Sequence, residues 1–305
     1  MNRAAPEILA PLEVAAEELP EQGLVSDLMT LTKARLSLLV VVTTFVGFCM
    51  ASGPHLNWLL LFNAVLGTTM AAAAAAVLNQ FSESGVDRLM ERTRHRPLPA
   101  GRMKPSTALA LGMGLAIGGV GYLWFTTNAM SAYLAAATVL IYLLFYTPLK
   151  RKTSFCTIVG AVSGAIPPVI GWTAARPSID TGAWVLFGIL FAWQMPHFLA
   201  IAWMYRDEYA QAGFVMLKRD DTCGVITALT SLAFTIALAV IAVSAYFIGL
   251  NTGVYLVGAV LLNGAMLFFA LQFLLQRNRQ SARQLFFASI FFLPLLLGVM
   301  IFTKA

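Results

Sequence analysis

The 305-residue chain is 59% hydrophobic and 11% charged, with a mean hydropathy of +0.78 and a formal net charge of +6. A water-soluble domain of this size carries about 25% charged residues, so these proportions exclude one. The positive charge is gathered in loops on one side of apolar runs, which makes it a membrane-topology signal and leaves no nucleic-acid partner to invoke.

Residues 1–30 read as a cytoplasmic N-terminal tail, disordered in part. The tail holds Glu7, Glu13, Glu17, Glu18, Glu21 and Asp27. It lacks the basic start and apolar centre of a signal peptide. Residues 31–305 read as one membrane domain of nine apolar runs, roughly 36–53, 58–80, 107–126, 130–147, 157–174, 183–204, 224–249, 254–275 and 285–302. Each comes near the about 20 residues that cross a hydrocarbon core. Backbone polar groups in lipid must be paired within each segment, so the fold class is an all-α integral membrane protein, a bundle of nine transmembrane helices. The alanine run 71–76 in the second span is small-residue helix packing. "IPPVIGW", Ile166 to Trp172, sets two prolines inside the fifth span and predicts a kink there. Cys49, Cys156 and Cys223 are scattered, with no CxxC pair to suggest a disulfide or zinc.

The loops give an orientation. Of the 20 Lys and Arg residues, all but Arg176 and Lys304 fall on the side of the N-terminus, in the tail and in loops near 33–35, 88–104, 150–152, 206–219 and 277–283. The positive-inside rule makes that side cytoplasmic, and nine spans then put the C-terminus on the outer side of the cell (inner) membrane. Of the 14 acids, all but Asp180 share the basic side. Outside the tail they form two clusters, Glu83, Asp87 and Glu91, then Asp207, Glu208, Asp220 and Asp221, each beginning where an apolar span ends.

The first cluster lies in "NQFSESGVDRLMERTRHRP", residues 79–97. Asn79, Glu83 and Asp87 are spaced i, i+4, i+8 and share one face if the helix continues through them. Arg88, Arg92 and Arg96 repeat that spacing one residue on, up to the stop that Pro97 imposes. An amide and two carboxylates on one face repel one another unless a cation joins them. Magnesium is held by one or two carboxylates with substrate phosphates completing its shell, and arginines grip phosphate oxygens bidentately. The stretch therefore resembles a Mg-diphosphate site at the cytoplasmic end of a membrane helix. For the arginines alone, anchoring at the interface explains the same positions. Among the three histidines, His55 sits in an outer loop and His95 among arginines. His197 lies inside the sixth span, where an ionisable residue is a functional candidate, although a histidine bonded to a neighbouring helix fits the position too.

Five segments carry a family resemblance: "LTKARLSLL" (31–39), "NQFSESGVDRLMERTRHRPLPAGR" (79–102), "YTPLKRKT" (146–153), "GAVSGAIPPVIGW" (160–172) and "FAWQMPHFLAIAWMYRDEYAQAG" (191–213). In this order they resemble the UbiA-type intramembrane prenyltransferases and, within that family, the branch that farnesylates heme B. Two positions depart from the family pattern. Ala34 stands where proline is usual, and Glu208, preceded by Asp207, stands where aspartate is expected before the tyrosine.

The resemblance implies a nine-helix UbiA-type fold and transfer of a farnesyl group from farnesyl diphosphate to the 2-vinyl group of heme B, with addition of water, giving heme O and diphosphate. It implies Mg²⁺ as cofactor, held by Asn79, Glu83 and Asp87, with Asp207 or Glu208 on a second ion. Diphosphate would be bound by Arg88, Arg92, Arg96, Lys150, Arg151 and Arg206. His197 becomes a candidate heme-iron ligand, with Trp193 packing on the porphyrin. The implied partners are farnesyl diphosphate, heme B, the lipid bilayer, and heme A synthase or a terminal-oxidase assembly. A related enzyme acting on a quinone or chlorin precursor would share the cation chemistry, but a phenolic acceptor needs no iron ligand, and "WQMPHF" and "RTRHRPLPAGR" favour heme. A transporter using the acids as an ion path would carry internal repeats, and none is clear.

Overall fold

The structure, a computed structural model, describes residues 23–305 apart from Arg219, and the backbone alone of Arg35 and Leu36. Arg3 and Glu7 to Glu21 of the expected tail, like Arg219, lie outside the described residues. The helices are α1 (Leu24–Leu31), α2 (Ala34–Ala51), α3 (Trp58–Asp87), α4 (Pro105–Thr126), α5 (Ala129–Leu140), α6 (Thr147–Leu149), α7 (Cys156–Ala165), α8 (Pro167–Ala175), α9 (Thr181–Met204), α10 (Arg206–Gln211), α11 (Val225–Phe247), α12 (Gly253–Gln276) and α13 (Arg279–Phe302), with a π-helical segment Ile141–Tyr146 joining α5 to α6.

Among the described residues, eight segments are long and apolar enough to cross a membrane, and a ninth apolar helix, Ser37–Ala51, is shorter. The nine expected runs all appear at their places. The clearest difference in length is α3, which continues past residue 80 to Asp87 and so carries the polar stretch on a regular helix.

Local sequence explains the irregularities. In the fifth span the helix breaks at Ile166 between α7 and α8, where Pro167 and Pro168 bring no amide hydrogens to the ladder. The kink sends α8 through the middle of the bundle, with Pro167 to Ala174 all buried. Close approach to α2 is needed there: a Cβ on Gly47 would overlap the Pro168 carbonyl, and one on Gly171 the Thr44 carbonyl. The π-helical segment in the fourth span was not foreseen. Pro148 has no amide to continue a regular ladder, and Thr147 N instead bonds Tyr142 O, five residues back. Of the alanine run in α3, Ala71 and Ala73 to Ala76 are buried and Ala72 is half-buried.

The last part of the expected tail is the helix α1, tied to the bundle. Asp27 is buried and takes a bidentate contact from Arg102 at 2.8–3.1 Å, and Gln80 Nε2 donates to the Thr30 and Leu31 carbonyls at 2.9 Å. At the opposite end of the bundle Lys304 Nζ donates to Cys49 O at 2.8 Å and to Ser52 O, so the chain finishes beside the far end of α2. The loops rich in Lys and Arg thus share the end at which α2 begins.

Candidate functional site

The site is built where α3 outlasts its apolar stretch. Asn79, Glu83 and Asp87 fall on one face of this helix and are all buried, at 1%, 7% and 2% exposure. Asn79 Nδ2 donates to Glu83 Oε2 at 2.8 Å. Lys150, just beyond α6, donates to both Glu83 oxygens at 2.9 and 3.2 Å. Arg96 Nη1 meets Asp87 Oδ2 at 2.7 Å. Each buried carboxylate therefore has its own cation, which a low-dielectric site requires. The π-helical turn positions the other wall: Thr147 Oγ1 lies 2.9 Å from Asn79 Oδ1, and the Tyr146 ring centroid lies 4.5 Å from Lys150 Nζ. Burial works against the Lys150 charge, but Tyr146, Tyr142 and Glu83 prevail and hold its ammonium above the ordinary lysine range.

One expectation needs correcting. The helix does not run on to Pro97. It ends at Asp87, with Arg88 as its C-cap, because Leu89 N turns back to Val86 O and the Thr93 hydroxyl takes the Asp87 carbonyl at 2.8 Å. Arg88, Arg92 and Arg96 therefore do not line one helical face. Arg96 folds back to Asp87. Arg92 reaches across to α10, 3.4 Å from Tyr209 Oη and 5.9 Å from the ring centroids of Tyr205 and Tyr209. Arg88 and Arg151 are exposed.

The second acidic cluster divides. Asp207 is exposed and lies 3.7 Å from Arg206 Nε, whereas Glu208 is half-buried on the same short helix. Arg206 itself stacks over Trp203 at 4.4 Å. Among the described residues neither carboxylate bonds the Asn79 face; Arg92 and the apolar cluster of Val86, Met90, Tyr209, Ala212 and Phe214 join the two segments. Asp221 serves its own helix. Its carboxylate accepts from Ile226 N, Thr227 N and Thr227 Oγ1 at 3.0, 2.7 and 2.5 Å, capping the first turn of α11. Burial raises its pKa, but these bonds outweigh burial and leave it below the usual value. A cavity of about 490 Å³ opens between Trp203, Arg206, Asp207, Phe214, Lys218 and Asp221, and Asn79, Glu83 and Asp87 do not line it.

His197 and Trp193 both turn to α13. His197 Nδ1 is 2.8 Å from Ser289 Oγ, and Trp193 Nε1 donates to Ser289 O at 2.8 Å. The imidazole lies between the rings of Trp193 and Phe286, each 5.0 Å away between centroids. His55 is exposed, and His95 is bonded by Arg94.

The chemistry of the donors suits magnesium. Asn79, Glu83 and Asp87 offer hard oxygens one helical turn apart, with the cations of Lys150 and Arg96 set against the two carboxylates. Among the described residues no three His, Cys, Asp or Glu side chains converge as a ready metal cluster. The α3 face supplies two carboxylates and an amide, a number that leaves coordination positions for phosphate oxygens and water. Sequence reasoning missed Thr147, the Glu83–Lys150 pair and Ser289. The "YTPLKRKT" segment signalled the first two by its lysine and proline, and an isolated serine in an apolar span gave no signal for the third.

Residues 40–296 match the UbiA prenyltransferase family. The chain is 39% identical over 287 residues to a protoheme IX farnesyltransferase of Solibacter usitatus, covering 91% of this chain and 98% of that one. It is 42% identical over 280 residues to a protoheme IX farnesyltransferase of Opitutus terrae, covering 92% and 95%. The mitochondrial protoheme IX farnesyltransferase of Homo sapiens is 38% identical over 277 residues, which span 91% of this chain and 62% of the human one. Among solved structures, one from work on digeranylgeranylglyceryl phosphate synthase superposes with a TM-score of 0.77 at 14% identity, covering 92% of this chain and 98% of that one. A UbiA homolog from Archaeoglobus fulgidus bound to DMAPP and Mg²⁺ superposes with a TM-score of 0.63 at 11% identity, covering 90% and 99%. These two likenesses are of fold.

Proposed function

We propose that this chain, which belongs to the UbiA prenyltransferase family, transfers a farnesyl group from farnesyl diphosphate to the 2-vinyl group of protoheme IX, giving heme O. The family and the protoheme IX farnesyltransferases it resembles set the reaction; the observation that carries the site is the buried face of Asn79, Glu83 and Asp87 with Lys150 and Arg96 upon it.

The reaction balances as farnesyl diphosphate, heme B and water giving heme O and diphosphate. Farnesyl C1 parts from the diphosphate oxygen and bonds the outer vinyl carbon. Positive charge then falls on the carbon beside the porphyrin ring, where water adds and loses a proton. Lys150 and Arg96 offer their remaining N–H groups to the departing diphosphate, and Arg92 reaches it from the α10 side. Glu83 and Asp87 keep these cations charged and aimed. When bound to Asn79, Glu83 and Asp87, magnesium would neutralise the charge that grows on the leaving group. Glu208 is the better placed of the second pair to assist, being half-buried where Asp207 is exposed. The apolar spans keep stray water from the allylic cation until the vinyl group has reacted.

His197 is the proposed iron ligand of heme B, with Trp193 and Phe286 as the walls of its slot. The basic end of the bundle is proposed to face the cytoplasm and the C-terminus the opposite side. The product would be consumed by an enzyme that oxidises heme O, such as heme A synthase. Purified protein given farnesyl diphosphate, heme B and Mg²⁺ should form heme O by HPLC and mass spectrometry, and a chelator should stop it. A product in which the porphyrin mass is unchanged would overturn the reading.

A further inference from the structure

The Ser289 hydroxyl has one hydrogen and two neighbours. Its oxygen lies 2.6 Å from the Phe286 carbonyl and 2.8 Å from His197 Nδ1. A carbonyl can only accept, so the hydrogen goes to Phe286 O. The bond to His197 must then run the other way, from Nδ1–H to Oγ. A neutral imidazole carries one N–H, so Nε2 is left with its lone pair free. The surroundings hold this arrangement. Ser289 is fully buried, its carbonyl accepts from Trp193 Nε1 at 2.8 Å, and the imidazole lies between the Trp193 and Phe286 rings. The residue as a whole is half-buried.

We propose that Ser289 is a positioning residue that locks His197 in the Nδ1–H tautomer and presents Nε2 as a ligand for the iron of the porphyrin substrate. A ligating histidine commonly donates its other N–H to a fixed acceptor, which sets the tautomer, the ring angle and the basicity of the ligand. Here the acceptor is a hydroxyl made acceptor-only by its own bond to a helix carbonyl. The proposal rests on the reading of His197 as the iron ligand, and its own content is the tautomer and what sets it.

The test uses full-length protein with ¹⁵N-labelled histidine in a His55→Gln, His95→Gln background, so that His197 alone reports. Without heme, the wild-type serine should give one neutral tautomer with Nδ1 protonated and Nε2 bare. Ser289→Ala removes only Oγ and keeps the carbonyl that holds Trp193; it should yield a mixture in which Nε2–H appears. Heme B titrated into both proteins and followed by the Soret band should bind Ser289→Ala roughly ten- to a hundred-fold more weakly. Protonated Nε2 in the unsubstituted site, or an unchanged pattern in Ser289→Ala, would overturn the lock whatever the heme does. An unchanged Soret band in His197→Ala, with the Nδ1–H tautomer observed, would instead sink the ligand assignment alone.

Discussion

Replacing Glu83 by glutamine keeps the shape of the side chain and removes its charge. Its partner Lys150 has 12% of its side chain exposed and Glu83 has 9%, so the ammonium would be left charged with little water to replace two bonds of 2.9 and 3.2 Å. Breaking a buried pair from one side costs about 3–5 kcal/mol. The residual exposure and the neighbouring Tyr146 ring argue for the lower end, about 3 kcal/mol, or roughly 150-fold in the folded-to-unfolded ratio. For a chain of this length that corresponds to a fall of roughly 5 °C in Tm. Removing both charges, as Glu83→Gln with Lys150→Met, should restore stability to within about 1 kcal/mol, because no buried charge is then left alone. Neither variant should transfer farnesyl at a useful rate, since the double variant is well folded but lacks a metal-binding carboxylate and a phosphate donor. Thermal unfolding in detergent, read beside Mg²⁺-dependent pyrophosphate binding, separates the two effects. The reasoning fails if the single variant is as stable as the double, or if the stable double variant turns over normally.

Other consequences can be checked with equal directness. Arg92→Lys and Arg96→Lys should insert normally yet bind pyrophosphate and farnesyl diphosphate alike about ten- to a hundred-fold more weakly, from loss of a forked, charge-assisted contact worth about 1.5–3 kcal/mol; wild-type affinity by titration would mark them as interface anchors. Asp87→Ala should abolish transfer while the protein still inserts, and near-normal turnover at saturating Mg²⁺ would remove Asp87 from the site. The Asp221 carboxyl lies below its ordinary value of 3.8 when folded, so its stabilisation is present above about pH 4 and is lost as pH falls through the depressed folded value. Asp221→Ala should accordingly lower stability by about 1–2 kcal/mol at neutral pH, as loss of a helix cap does, and an acid unfolding curve unaltered by the substitution would contradict that. Cysteines at the exposed positions Ser106 and Thr252, in a background without Cys49, Cys156 and Cys223, should be labelled from opposite sides of the membrane, and labelling of both from one side would mean a miscounted span.

The spans were legible because each is a long apolar run, and hydrophobic length is a property of the sequence alone. The Asn79, Glu83 and Asp87 face was legible for a similar reason, since spacing of four along a helix fixes a face. The end of that helix was not. It depends on the Thr93 hydroxyl reaching the Asp87 carbonyl, and nothing in the arginine spacing announces that contact. The partners of the carboxylates were legible only in part. Lys150 was named as a phosphate donor, whereas its pairing with Glu83 joins residues 67 positions apart in sequence. Asp221 looked like a member of an acidic cluster by adjacency, but backbone amides of α11 had claimed it. Ser289 was invisible, because the meaning of a hydroxyl lies in what stands around it.

The central claim is that heme B is the acceptor of the farnesyl group at the Asn79, Glu83 and Asp87 site. It is tested most directly by competition: purified protein in lipid is given farnesyl diphosphate, Mg²⁺, and equal concentrations of heme B and a phenolic acceptor such as 4-hydroxybenzoate, and all prenylated products are resolved by mass. The account predicts heme O as the product, formed one-for-one with released diphosphate, and neither heme O nor diphosphate above background from Asp87→Ala. Prenylated phenol with the heme unaltered, or diphosphate release that persists in Asp87→Ala, would contradict it.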